Sequence, residues 1–263
     1  MSLDILTLNI GAASIDRAKR ILSWLAQRSE PVYILSEMSS GEGSRFILDR
    51  LAAANWTVAA ALDSRDRGVA VVARVQSAAV QSSFVPTSRP WRWAELKLLT
   101  SSGPVRVVGL YVPSRDLSQE KIDGKRGFLE AIESELMNSS FPTIVGGDYN
   151  IVSRNHSPKV PQFDFEYSFL EKLEGSGYID AGLQLAKTPH DHTWFGRTGD
   201  RYRYDYFHVR GVDFQAGSQC HYLHETRDSK LSDHSGLSLS LNGAEFLEVE
   251  PEAITESDQA SLF

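Results

Sequence analysis

The sequence predicts an α/β sandwich of two mixed β-sheets covered by helices, and three observations predict it. Strand candidates dominate and come in runs: Gly68 to Leu110 holds several in succession and no helix, which a strictly alternating parallel sheet would not show. Helical periodicity is confined to segments interspersed among those runs. With 263 residues, 41% of them hydrophobic and 23% charged, the chain has apolar material for one substantial core.

Taken in order, Leu3 to Ile10 alternates as a strand, and Ser14 opens a helix in which Ile15, Ala18, Ile21, Leu22 and Leu25 recur at helical spacing. Pro31 to Leu35 is a short apolar strand, and Ser44 to Ala54 reads as a helix. Thr57 to Leu62, Gly68 to Val75, Trp93 to Leu99 and Val105 to Val112 read as strands. A helix is expected from Ser118 to Met137, a buried strand from Pro142 to Val145, and another helix from Phe165 to Leu173. Tyr204 to Val209, Val212 to Tyr222 and Gly236 to Leu241 close the body as strands. Periodicity then stops, so residues 1–242 are expected to form one domain and 243–263 an acidic flexible tail.

Composition narrows the class further. No apolar run approaches the roughly 20 residues of a membrane span, and Asp4 stands where a secretory leader would carry a cation. A soluble cytoplasmic protein is expected. Cys220 is the only cysteine, so the chain cannot close an internal disulfide. The net charge of −7 is uneven: Glu245, Glu248, Glu250, Glu252, Glu256 and Asp258 give 243–263 a charge of −6, and −7 less −6 leaves −1 for the body. A near-neutral body offers no basic footprint for nucleic acid.

Polar residues with chemical potential gather at strand ends, where loops build sites on a rigid sheet. Gly146-Gly147-Asp148-Tyr149-Asn150 follows the strand ending at Val145, with the glycines expected to permit a tight turn and to leave two oxygen-bearing side chains at the sheet mouth. The same pattern is also ordinary turn chemistry. Asp233-His234 offers an oxygen ligand for a hard cation beside an imidazole able to bond a phosphoryl oxygen, and Asp205 is placed to fix the His234 tautomer. Asn9, Glu37 and Tyr111 each end a strand.

The order Asn9, Glu37, Tyr111, Asp148-x-Asn150, Asp205, Asp233-His234 resembles the exonuclease III branch of the endonuclease/exonuclease/phosphatase family across nearly the whole body. Arg67-Gly68-Val69-Ala70, Tyr111-Val112-Pro113, Gly177-Tyr178-Ile179-Asp180 and Thr193-Trp194-Phe195 fall in the family's order as well. The resemblance implies a four-layered α/β sandwich and a metal-dependent phosphodiesterase, with Mg²⁺, or Mn²⁺ in its place, held by Glu37 with Asn9 and Asp233. It further implies that Asp148 orients or deprotonates the attacking water and that Asn150 holds water and phosphate in line. His234, steadied by Asp205, would stabilise phosphoryl charge, and Tyr111 would bond the phosphate or help the leaving group. Hard oxygen ligands suit such cations. Two positions depart from the abasic-site endonucleases: Asn9-Ile10-Gly11 lacks their second acidic residue, and Ser36-Glu37-Met38-Ser39 stands where they show Gln-Glu-Thr-Lys.

Trp194 to Arg203 interleaves aromatics with arginines just before Asp205, so Trp194, Arg197 and Arg203, with His156 from the loop after Asn150, are expected to meet the substrate. The same residues also read as core aromatics and solvated arginines. The final Gln259-Ala260-Ser261-Leu262-Phe263 resembles the short peptide by which bacterial DNA-processing enzymes bind the replicative sliding clamp, with Gln259, Leu262 and Phe263 as anchors. That points to DNA as substrate and to abasic-site endonuclease or 3′ exonuclease activity. Hydrolysis of a small lipid or sugar phosphoester is the alternative enzyme, since one fold hosts many substrates. A non-catalytic binding protein would not need every catalytic position filled.

Overall fold

A computed structural model describes residues 2–77, 84–188 and 190–247. Its strands are β1 (Ser2–Asn9), β2 (Val32–Met38), β3 (Thr57–Ala60), β4 (Gly68–Ala73), β5 (Trp93–Thr100), β6 (Gly103–Tyr111), β7 (Thr143–Asp148), β8 (Ile179–Asp180), β9 (Trp194–Phe195), β10 (Arg201–Tyr202), β11 (Asp205–Arg210), β12 (Gln219–Leu223) and β13 (Gly236–Asn242). The helices are α1 (Ile15–Leu25), α2 (Glu42–Ala53), α3 (Gln119–Met137), α4 (Asp164–Gly175) and the short α5 (Ala181–Leu185) and α6 (Glu225–Asp228). One sheet runs β12-β13-β1-β2-β4-β3 and the other β5-β6-β7-β11-β8. Both are mixed, with β1 parallel to β2 and β6 parallel to β7 amid antiparallel pairs.

Side-chain alternation explains the layering. On β1, Leu3 and Ile5 face the second sheet, while Leu6 and Leu8 face α1 and α2. Val32 and Ile34 of β2 likewise join the inter-sheet core, and Tyr33 and Leu35 the outer one. The second sheet repeats this: Val107, Ile144 and Phe207 point inward, whereas Val108, Val145 and Tyr206 pack on Phe128, Leu129, Ile132 and Phe169 from α3 and α4. Strands apolar on both faces read as unbroken runs. The result is helix, sheet, sheet, helix, the four-layered sandwich expected.

Gly146 and Gly147 lie within β7 and do not form the turn expected of them. They make room instead: a Cβ on Gly146 would meet the Phe207 side chain at 2.7 Å and that of Ile34 at 2.8 Å, and one on Gly147, at φ +133°, would meet the Leu110 carbonyl oxygen at 2.0 Å, a close backbone approach.

Most expected elements are present, with shifted ends. The strand expected over Val212 to Tyr222 starts only at Gln219 and runs as Gln219–Leu223, because Gly217 at φ 87° turns the chain before it. The two-residue strands β9 and β10 were expected as loop; they are too short to carry a period. Beyond β13 the chain stays on the body as far as residue 247, where Phe246 is buried in the inter-sheet core and the Leu247 amide donates to Leu99 O at 3.0 Å. The boundary expected at 242 therefore falls before an ordered stretch, held by an apolar side chain that the surrounding acidic residues conceal in the sequence. Among the described residues no helix is long and apolar enough to cross a membrane. A Gly147→Ala variant should lose about 3 kcal/mol or more of stability in urea unfolding; an undiminished midpoint would contradict the close approach.

Candidate active site

The polar residues lie where the inter-sheet core opens at one end. Inward positions alternate through Thr7 and Asn9 on β1, Gly109 and Tyr111 on β6, Gly146 and Asp148 on β7, and Phe207 and Asp205 on β11. Cross-strand register sets Tyr111 beside Asp148 and Asp148 beside Asp205. The apolar pattern between the sheets thus ends in a polar row on the same face.

Hydrogen bonds lock that row. Asn9 Nδ2 donates to Asp148 Oδ2 at 2.9 Å, joining the two sheets, while Asn9 Oδ1 accepts from Gly11 N at 2.8 Å. Asn150, at φ 48°, donates its backbone N–H to Asp148 Oδ1 at 2.8 Å and its side-chain amide to Val112 O at 3.1 Å and Asp148 Oδ2 at 3.2 Å. His234 Nδ1 lies 2.8 Å from Asp205 Oδ2. Ser232 Oγ donates to Asn9 O at 2.6 Å and accepts from His234 N at 3.0 Å, tying the His234 loop to β1. Thr193 completes the frame: Oγ1 accepts from Asp205 N at 3.2 Å and its carbonyl from Ser235 N at 2.7 Å.

Burial and charge set the protonation pattern. Burial lowers the pKa of His234, but the charge and hydrogen bond of Asp205, reinforced by Asp148 and Asp233, outweigh it and hold the imidazole charged. With Nδ1–H given to Asp205, Nε2–H faces Asn9 Nδ2, itself a donor, at 3.4 Å. Nε2–H therefore has no acceptor among the described residues. Burial raises the Asp148 carboxyl above the usual range; the His234 charge opposes this, and Asp205 and Glu37 add to it. Burial, then Glu37 and Asp148, push the Tyr111 phenol up, so it stays protonated and donates to Glu37 Oε1 at 3.1 Å.

Glu37 owes its position to a β-bulge. Pairing of β2 with β4 slips between Ser36 and Met38, and Glu37 takes φ 56°. Regular alternation would turn its side chain outward with Leu35; the bulge re-aims it to Tyr111. Its other oxygen, Oε2, pairs with Arg67. Asp233 is exposed, with Oδ2 accepting from Trp194 Nε1 at 3.1 Å. Among the described residues no three Asp, Glu, His or Cys side chains are gathered into a cage. One or two carboxylates with an amide oxygen suit Mg²⁺, which keeps several of its waters, and the charges of Asp205 and Glu37 felt at buried Asp148 favour a cation. The donor set of Glu37, Asp233 and Asn9 fits such an ion.

Two expected substrate contacts are instead structural. Arg203 is 4% exposed, its Nη1 lies 2.7 Å from Asp180 Oδ2, and its guanidinium stacks over Tyr206 at 4.4 Å. Its side chain is committed to a buried ion pair with Asp180. His156 is spent as well: Nε2 accepts from Arg203 N at 3.1 Å and Nδ1–H donates to Pro158 O at 2.8 Å. Trp194 does stand at the mouth, stacked on Tyr202 at 5.5 Å, and Arg197 is exposed in the β9–β10 turn. Gln259, Leu262 and Phe263 lie outside the described residues.

Sequence reasoning missed Arg67 as a partner of Glu37 and Lys125 as a support of the loop. Lys125 Nζ donates to Asn150 O at 2.7 Å and pairs with Glu166 at 2.6 Å, both side chains of the pair being out of solvent. A lysine at 1% exposure carries no sequence signal when its partner lies on another helix.

No family model matches the sequence, and no curated protein matches it. The architecture is nonetheless that of the endonuclease/exonuclease/phosphatase fold. A 3′ phosphatase from Neisseria bound to a product DNA hairpin aligns with a TM-score of 0.74 at 20% identity, over 92% of this chain and 100% of its own. An AP endonuclease from Archaeoglobus fulgidus gives 0.72 at 19%, over 92% and 100%. An endonuclease/exonuclease/phosphatase from Beutenbergia cavernae gives 0.67 at 19%, over 96% and 73%.

The Asp180–Arg203 pair generates a stability prediction. Burial alone would raise the Asp180 carboxyl pKa, but Arg203 holds it below the ordinary range. An Asp180→Asn variant, which leaves Arg203 buried and uncompensated, should be less stable by about 3–5 kcal/mol at neutral pH. A depressed folded pKa contributes stability above the unfolded value and loses it as pH falls through the folded one. The deficit, measured by urea unfolding, should shrink below the ordinary carboxylate range; a constant deficit would assign the effect to packing.

Proposed function

We propose that this chain is a divalent-metal-dependent phosphodiester hydrolase acting on DNA, a repair nuclease that cuts at abasic sites or trims 3′ ends. The carrying observation is the row Asn9–Asp148–Asn150 beside a charged His234 whose Nε2–H lacks an acceptor among the described residues. Such a donor suits an anionic oxygen at the place where charge develops. The DNA-bound Neisseria phosphatase and the Archaeoglobus AP endonuclease support DNA as the substrate class.

Asp148, with its raised pKa, takes a proton from the attacking water, and Asn9 and Asn150 fix the direction of its carboxylate. Asn150 Oδ1 accepts from the same water, holding it in line with phosphorus. His234 Nε2–H donates to a phosphoryl oxygen, its orientation kept by Asp205. Tyr111 Oη–H, kept protonated, is a second donor, to the phosphate or to the oxygen that leaves as its P–O bond breaks and takes up a proton to become a hydroxyl. Glu37, with Asp233 and Asn9, would hold Mg²⁺ or Mn²⁺, which supplies positive charge to the phosphate oxygens. Trp194 and Arg197 offer a stacking face and a guanidinium at the mouth. The terminal Gln259-Ala260-Ser261-Leu262-Phe263 would tether the enzyme to a sliding clamp.

An end-labelled duplex carrying one abasic-site analogue, beside an intact duplex and a single strand, tests this. Cutting at the lesion or shortening from 3′ ends is expected with Mg²⁺, none with chelator, and a rate lower by about 10²–10⁴ for Asp148→Asn. The near-neutral body favours a second reading, a small phosphoester substrate. Inert DNA together with turnover of lipid or sugar phosphates would select it.

A further inference from the structure

Both oxygens of the Glu37 carboxylate are engaged, Oε1 by Tyr111 at 3.1 Å and Oε2 by Arg67. Arg67 is therefore bonded where the reading above, on which this inference rests, requires a divalent cation. Its backbone neighbours are closely held, and its side chain reaches solvent. The preceding Asp66 is gripped by Arg92 at 2.6 Å, Arg89 at 2.8 Å and the Trp91 indole at 3.0 Å. The following Gly68 runs so close to Trp91 that a Cβ would meet its carbonyl oxygen at 2.3 Å. Yet the Arg67 side chain is 49% exposed. It lines an open cleft of about 510 Å³ with Ser39, Ser40, Ser64, Arg65 and Ser114. Asp63 and Asp66 also border this cleft, but Asp66 is neutralised by Arg89 and Arg92. The remaining wall offers hydroxyls and guanidinium groups, which suit phosphate oxygens.

We propose that Arg67 is the resident counter-cation of Glu37, released when a divalent ion takes the carboxylate and turned into this cleft to hold a substrate phosphate. A guanidinium and a divalent ion repel each other at one carboxylate, so binding of the ion frees the arginine. Metal and phosphate binding are thereby coupled, each favouring the other.

Calorimetric titration with Mn²⁺ tests the first half. Arg67→Gln should bind Mn²⁺ about five- to tenfold more tightly than wild type, while Arg65→Gln, which does not touch Glu37, should match wild type. The second half is tested with inorganic phosphate in chelator. Glu37→Gln, which leaves Arg67 without its partner, should bind phosphate more tightly than wild type, and Glu37→Gln/Arg67→Gln should lose that gain. Equal Mn²⁺ affinity in wild type and Arg67→Gln, or a gain that survives in the double variant, would overturn the exchange and leave the hydrolase reading standing. A folded wild-type protein that binds no Mn²⁺ would overturn both.

Discussion

The hydrogen bond from Asn9 to Asp148 is the interaction on which the site depends, because it joins the two sheets at the point where their shared core ends. Everything around it is placed by alternation and register. Inward positions filled by Ile5, Ile34, Ile144 and Phe207 along the strands are followed, near their ends, by Asn9, Asp148 and Asp205. A small relative movement of the sheets would separate the carboxylate from the groups that orient it. The glycines at 146 and 147 shape the same strand, Gly146 leaving room for the Phe207 and Ile34 side chains and Gly147 for the Leu110 backbone beside Asp148.

Much of this was legible in the sequence. Period-two patterns located the strands, and the polar residues ending them located Asn9, Tyr111, Asp148, Asp205 and His234. What escaped depended on distant partners or on an irregular backbone. Glu37 was found as a strand-end acid, but the bulge that aims it leaves no mark in composition. Arg203 stood in an aromatic and basic run that reads as a binding loop, yet a partner 23 positions away at Asp180 draws it inward. Phe246 sits among acidic residues and still reaches the core.

The charge distribution leaves the site an acidic excess that two basic side chains answer only in part, which favours a cation there. Asp148 and Asp205 are buried, Glu37 is mostly covered and Asp233 is exposed, and His234 pairs with Asp205 while Arg67 pairs with Glu37. The buried histidine is fixed by its ion pair; the arginine lies at the solvent edge. The first is suited to stabilise charge, the second to exchange partners.

The central claim is that water activated at Asp148 attacks phosphorus. Its most direct test is cleavage of a DNA strand in heavy-oxygen water, followed by mass spectrometry of the products. The account predicts one heavy oxygen in the newly formed terminal phosphate. Cleaved strands whose phosphate carries no label would show that the bond broke elsewhere, and would contradict it.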